Sequence, residues 1–167
     1  MKFGPGFDFV KGGKLPGLYG GSTACSGGAD SEDCFSTRFM WRREGDLEVY
    51  GYLPDNQVAG FCDDSDILCN FHHGHSLGRG LWRFLPNEWV TIAQVVTLNQ
   101  VGSMDGSIAV LVDGEELYRR DKLNIRQSQE VMVQGIMFST FYGGSDSSWA
   151  PGYNTWAYFD NFSLLAE

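Results

Sequence analysis

Two stretches of this chain alternate so regularly that they leave little choice of local structure. They are Phe35-Ser36-Thr37-Arg38-Phe39-Met40-Trp41-Arg42 and Leu47-Glu48-Val49-Tyr50-Gly51-Tyr52-Leu53. Successive side chains of a strand point to opposite faces, so a period of two reads as a strand with two distinct faces. On the first stretch Phe35, Thr37, Phe39 and Trp41 share one face, and Ser36, Arg38, Met40 and Arg42 share the other. On the second, Leu47, Val49 and Leu53 oppose Glu48, Tyr50 and Tyr52. Between them Arg43-Glu44-Gly45-Asp46 reads as a hairpin turn, with Gly45 free to take positive φ. A turn centred near Glu44 sets Ser36 opposite Tyr52 and Arg38 opposite Tyr50. A one-residue slip would mix the two faces, so this register is the one predicted.

The rest of the chain continues the β pattern. Residues 89–98 read as a long strand in which Gln94 interrupts an otherwise apolar face. Ile108 to Val112 runs into Asp113-Gly114, a strong two-residue hairpin signal, with a return strand from Glu115 to Tyr118. Residues 131–142 and 156–162 read as two further strands, and the polar stretch 120–130 as a loop or short helix. Aromatic residues make up 14% of the chain and glycines number 22, which suits tight turns between packed strands. We expect one all-β domain over residues 1–167, an antiparallel two-sheet sandwich or β-jelly roll. One sheet of such a fold often curves into a groove that holds an extended polymer.

Charge narrows the function. The net charge of −9 argues against a surface that attracts polyanions by bulk charge, so nucleic acid is not an expected partner. No apolar run reaches the roughly 20 residues of a membrane-spanning helix. An acidic polysaccharide would need a local basic groove. The residues available for one, Lys11, Lys14, Arg38, Arg42, Arg43, Arg79 and Arg83, all fall in the first half of the chain. The polar face of the hairpin offers a fixed cation, a hydroxyl and two phenols. Such a set can bind an acidic sugar and move a proton on it.

Four cysteines allow three pairings, and the sequence-local one, Cys25–Cys34 with Cys62–Cys69, is expected because both intervening stretches are polar and turn-rich. A zinc site would call for closer Cys-x₂₋₄-Cys spacing. Paired cysteines point to an oxidising compartment, hence a secreted protein. His72, His73 and His75 have no carboxylate companion and read as loop or substrate-rim histidines. Asp63-Asp64-Ser65-Asp66 lacks the spacing of a calcium loop and reads as a solvated turn. No metal is expected. Asn161-Phe162-Ser163 is a glycosylation sequon inside a strand-like run.

The order of several motifs resembles polysaccharide lyase family 14. Lys11-Gly12-Gly13-Lys14-Leu15-Pro16-Gly17-Leu18-Tyr19-Gly20-Gly21 is similar to the family signature. Cys34 to Arg42 looks like its arginine strand, and Tyr50-Gly51-Tyr52-Leu53-Pro54 like its Tyr-x-Tyr strand. Ser76 to Gly80, Phe138 to Gly144, Trp149-Ala150-Pro151 and Tyr158 to Phe162 follow in the family's order. The cysteine-bearing loops look most like the fungal branch. The resemblance implies a β-jelly roll that cleaves alginate or glucuronan, and a catalytic set at Lys14, Ser36, Arg38, Tyr50 and Tyr52. Family domains usually carry a further strand region ahead of the Phe7-to-Lys14 run, so an outer strand is expected to be missing here.

The chemistry of such a set can be argued from its members. A uronan lyase removes the C5 proton of a uronic acid and expels the oxygen at C4. The ionised carboxylate beside C5 resists further negative charge, so a fixed cation must meet it. The Arg38 fork suits a carboxylate, and Lys14 adds a second charge. Tyrosine titrates near pH ~10, and nearby cations are expected to favour its phenolate. Tyr52 is the expected base and acid, Tyr50 a positioning or protonating group, and Ser36 a substrate-orienting hydroxyl. Arg79, Gln94, His75 and Ser139 are further groove candidates. The reaction calls for no cofactor, and a monomer is expected.

The same residues have plainer readings. Arg38 can pair with Glu48 as a structural ion pair, Lys14 can be a solvated loop lysine, and the tyrosines can be cross-strand packing. A carbohydrate-binding module or lectin on the same sandwich is the alternative function. It needs aromatic platforms but no Lys–Arg–Tyr–Tyr set. A sandwich glycosidase would need two facing carboxylates, and Glu48 has no evident partner for that role.

Overall fold

The computed structural model describes residues 1–166. Twelve strands follow in chain order: β1 (Lys2–Phe3), β2 (Gly12–Gly21), β3 (Cys34–Arg42), β4 (Leu47–Tyr52), β5 (Ile67–Leu68), β6 (His75–Leu77), β7 (Ile92–Thr97), β8 (Gly106–Val112), β9 (Glu115–Leu123), β10 (Val133–Met137), β11 (Phe141–Tyr142) and β12 (Ala157–Tyr158). Only three single-turn 3₁₀ segments interrupt the β structure among the described residues. The large sheet runs β10-β2-β3-β4-β6-β5, with β11 also paired to β2. The second sheet is β7-β8-β9, and β1 pairs with β12. All pairings are antiparallel.

The core lies between the two larger sheets. Phe35, Trp41, Val49 and Leu77 of the large sheet pack with Ile108 and Val110 of β8, and Phe3, Phe7, Phe9 and Phe84 close one end. Phe3 meets Phe9, Trp41 and Phe84 edge-on at 5.0–5.4 Å between ring centroids, a favoured aromatic geometry. Thr37 is the one polar residue on the inner face of β3. Its hydroxyl donates to Gln94 Oε1 of β7 at 2.6 Å, a bond between two polar side chains inside the sandwich that leaves Gln94 Nε2 buried without a partner. Gln94 thus sits between the sheets, away from the face that carries Arg38.

The hairpin of β3 and β4 takes the predicted register: Ser36 opposite Tyr52, Arg38 opposite Tyr50, Met40 opposite Glu48 and Trp41 opposite Leu47. Glu44 and Gly45 both take positive φ at the turn (62° and 90°). Asp113 and Gly114 do the same (50° and 90°) in the two-residue β8–β9 connection, as a type I′ turn requires. The two last predicted strands are shorter than expected. Residues 131–142 divide into β10 and β11, and only Ala157–Tyr158 of 156–162 pairs. Residues 120–123 extend β9 instead of forming a loop or helix.

One irregularity matters for function. Between Lys14 and Gly17 the β2 register shifts: Lys14 faces Met40 while Gly17 faces Arg38, so three residues of β2 span two of β3. Pro16 sits inside this bulge, where its missing N–H leaves no ladder bond unmade. The bulge lets Leu15 turn into the core while Lys14 and Gly17 both stay on the polar face.

Candidate active site

The polar face of the large sheet is organised in rungs, because residues opposite one another in antiparallel strands share a face. Tyr19, Ser36 and Tyr52 make one rung; Gly17, Arg38, Tyr50 and Ser76 the next; Phe141, Lys14, Met40 and Glu48 the third. Lys14, Ser36, Arg38, Tyr50 and Tyr52 therefore meet on one surface, from three adjacent strands.

Arg38 is only 2% exposed, and its Nε is buried without a hydrogen-bond partner. It forms no ion pair among the described residues; the pairing with Glu48 that the hairpin allowed does not occur. Burial pulls its guanidinium below the ordinary value, and the Tyr52 and Tyr50 phenols oppose that. Arginine nevertheless stays charged in proteins. Gly17 sits hard against it: a Cβ there would lie 2.3 Å from Arg38 Cα.

Lys14 Nζ stands 3.4 Å from the centroid of the Tyr50 ring and 2.8 Å from Met40 Sδ. Burial, then the Arg38 and Arg42 charges, lower it to about 7, with Glu48 acting the other way. Tyr50 goes up to about 12, first through burial and then through the neighbouring Tyr52. The expectation that cations would pull this phenol down is corrected here. Arg42 does act in that direction, but desolvation of the anion outweighs it.

The phenols are held by backbone donors from two loops. Tyr52 Oη accepts from Gly28 N, and Tyr50 Oη from Gly74 N, each at 3.1 Å. The rings lie edge to face at 5.7 Å. The Cys25–Cys34 bridge closes the loop that carries Gly28 and packs directly on Tyr52. The second bridge is Cys62–Cys69, so the sequence-local pairing holds. Ser36 has no exposed surface, and its hydroxyl donates to Cys25 O at 2.6 Å. In this arrangement it anchors the disulfide loop and offers nothing to a substrate.

The remaining candidates scatter. Arg79 reaches the same face and binds Glu48 Oε2 through Nε at 2.5 Å. His75 pairs with Gly51, so it lies on the opposite pleat from the tyrosines. It is buried, its Nδ1 accepts from Asn70 N at 3.1 Å, and burial lowers its pKa. It still borders, with Tyr52, His72, Asp30 and Asp55, a cavity of about 230 Å³ at that end of the face. Ser139 is half-buried in the β10–β11 connection, two residues before the Phe141 that pairs with Lys14. Asp64 and Asp66 bind Arg120 and the Tyr118 hydroxyl, and no His, Cys, Asp and Glu set suited to a metal occurs among the described residues.

Two participants escaped the sequence reading. Gly28 and Gly74 act through backbone N–H groups, which every residue but proline has, so no residue type announces them.

Comparison with known proteins agrees with this fold. The family model described as polysaccharide lyase 14 matches residues 1–162. The crystal structure of the marine PL-14 alginate lyase from Aplysia kurodai superposes with a TM-score of 0.81 at 44% identity, over 89% of this chain and 60% of that one. Alginate lyase vAL-1 from Chlorella virus gives 0.68 at 25% identity, over 85% and 59%. Alginate lyase Aly36B, at 18% identity and a TM-score of 0.67, shares the fold. No curated protein matches the sequence. The chain thus spans about 60% of the length of the solved structures it resembles. With a family match over nearly every residue and the Lys–Arg–Tyr–Tyr set gathered on one sheet face, this chain belongs to polysaccharide lyase family 14.

Proposed function

We propose that this chain is a secreted polyuronate lyase that cleaves an alginate- or glucuronan-type polymer by β-elimination. The observation that carries this reading is Arg38: a buried guanidinium without an anionic partner, beside two phenols. A buried charge without a counterion is costly, so the face is built for an anion that arrives from outside. A uronate carboxylate supplies it and is held by the Arg38 fork, with Lys14 as second cation.

The proton steps follow from the phenols. Tyr50, pushed up to about 12, keeps its proton. Tyr52 accepts the Gly28 N–H, which fixes the position of its oxygen on the face. Tyr52 as phenolate takes the C5 proton, and the C5 electron pair forms the C4–C5 double bond as the C4–O bond breaks. The leaving oxygen takes a proton from Tyr50 or from the newly protonated Tyr52. Arg38 and Lys14 offset the charge that builds on the carboxylate in the enolate-like transition state. The likeness to the Aplysia kurodai alginate lyase, at 44% identity and a TM-score of 0.81, supports an alginate-like substrate. The two disulfides support an extracellular setting.

The test is incubation with polymannuronate, polyguluronate and glucuronan while following the ultraviolet absorbance of the unsaturated product. Absorbance should rise on at least one polymer and stay flat with Tyr52→Phe. Binding with no absorbance gain on any of the three would replace the lyase with a carbohydrate-binding module.

A further inference from the structure

Among the described residues, Glu48 is the one buried carboxylate on the polar face. It is 1% exposed and stands in the same rung as Lys14, separated from it by Met40. Its two oxygens are divided between two guanidiniums. Oε1 takes Arg42 Nε at 2.8 Å and Arg42 Nη2 at 2.7 Å. Oε2 takes Arg79 Nε and Ser76 Oγ, each at 2.5 Å. A carboxylate placed where a uronate must bind would repel that uronate unless its charge were already matched, and here it is matched twice over.

Three cations otherwise converge on Tyr50. Lys14 Nζ lies over its ring, Arg42 Cζ is 5.8 Å from the ring centroid, and Arg38 is its cross-strand partner. The charged or titratable groups facing Lys14 are Arg38 and Arg42 from β3 and Glu48 and Tyr50 from β4. From β11 its partner is Phe141, which carries none.

We propose that Glu48 is the positioning residue of this site: by binding Arg42 and Arg79 it takes their charges out of play, and so leaves Arg38 and Lys14 as the two cations that meet the uronate carboxylate. Glu48 has both oxygens engaged by Arg42, Arg79 and Ser76, and it acts through Arg42. The electrostatics agree, since Arg42 opposes the protonation of Lys14 and Glu48 favours it. Removing either partner therefore exposes the other. Without Glu48, the Arg42 charge acts on Lys14 unmatched. Without Arg42, part of the Glu48 charge turns to Lys14 and Arg38 and competes with the substrate.

The experiment follows the Lys14 side chain itself. The chain has four lysines, Lys2, Lys11, Lys14 and Lys122, so ¹³C-lysine labelling gives four Cε signals, and Lys14→Arg assigns the one required. In Glu48→Gln the Lys14 midpoint should fall by on the order of 1 pH unit, and in Arg42→Gln it should rise by a similar amount. Glu48→Gln/Arg42→Gln should return toward the parent value. With polyuronate, Arg42→Gln should raise KM about tenfold and lower kcat much less, as expected for loss of binding common to ground and transition states. Arg42→Gln alters a side chain near the surface and keeps the test standing if Glu48→Gln does not fold. An unmoved Lys14 midpoint in Arg42→Gln, shifts of the same sign in both single variants, or additive damage in the double variant would overturn the proposal. The substrate part rests on the polyuronate reading. The titration uses no substrate, so a chain that cleaves no polyuronate still answers whether Glu48 sets the charge on this face.

Discussion

Tyr52 Oη accepts its hydrogen bond from Gly28 N, and Gly28 lies in the loop that Cys25 and Cys34 close. The same loop receives the Ser36 hydroxyl at Cys25 O, and the bridge packs on the Tyr52 ring. The disulfide is therefore part of what holds the proposed base. Removing it with Cys25→Ser/Cys34→Ser should cost about 2–3 kcal/mol of stability, as for other short loops. It should also lower kcat/KM by more than tenfold at a temperature where the variant is still folded. Cys62→Ser/Cys69→Ser, whose bridge does not touch Tyr52, should lose stability with kcat nearly kept. Thermal melts and initial rates on both pairs check this; equal loss of kcat in the two would refute the coupling.

Gly74 fills the remaining space against the phenols. A Cβ there would meet Tyr50 Cε1 at 2.9 Å, Tyr52 Cε2 at 3.0 Å and Gly51 O at 3.1 Å. Gly74→Ala should push both rings out of line while leaving the core untouched. We expect kcat to fall by about two orders of magnitude, the size of effect a small misplacement has on an aligned reaction. The melting temperature should drop by only a few degrees. An active Gly74→Ala enzyme would show that the ring positions are not critical.

Arg38 gives a prediction in which stability and activity part company. Its guanidinium is buried with no anion beside it, a state that costs folding energy and is kept for what it binds. Arg38→Met should leave the melting temperature unchanged or raise it, and reduce turnover of polyuronate by at least ~10³-fold. A large loss of stability would mean that Arg38 serves the fold.

Lys14 carries the pH dependence. Its folded value is about 7, against 10.5 in the unfolded chain. Between those values the unfolded state binds a proton that the folded state does not, so stability rises with pH across that window. Below about pH 7 the whole cost of the buried charge is present. Lys14→Met should therefore raise the melting temperature most at pH 6, with the gain fading toward pH 10. Melts of both proteins across that range decide it, and a gain that grows with pH would reverse the sign.

Binding reports the same group. A uronate carboxylate favours the protonated form of Lys14, so complex formation at pH 8 should take up a proton. Calorimetry in two buffers of different ionisation heat should give different apparent enthalpies, and Lys14→Met should abolish the difference. Equal enthalpies with the parent protein would separate Lys14 from the carboxylate.

What the sequence determined by itself was everything that follows from parity and turn chemistry. Alternation in 35–42 and 47–53 assigned each residue a face, and Glu44-Gly45 set the register that brings Arg38 to Tyr50 and Ser36 to Tyr52. Asp113-Gly114 located its hairpin, and short cysteine spacing matched its two bridges. These features are local: a strand has only two faces, and a tight turn admits few residues. The tertiary structure decided what each side chain on the polar face is committed to. Glu48 binds Arg42 and Arg79 and leaves Arg38 unpaired. Ser36 turns to the Cys25 carbonyl, and Gln94 to Thr37 between the sheets. Loops distant in sequence supply the Gly28 and Gly74 donors, and burial raises the Tyr50 phenol against its cations. Partner choice and desolvation depend on which groups the folded chain brings within about 3 Å and which it removes from water, and neither is encoded in the spacing of one strand.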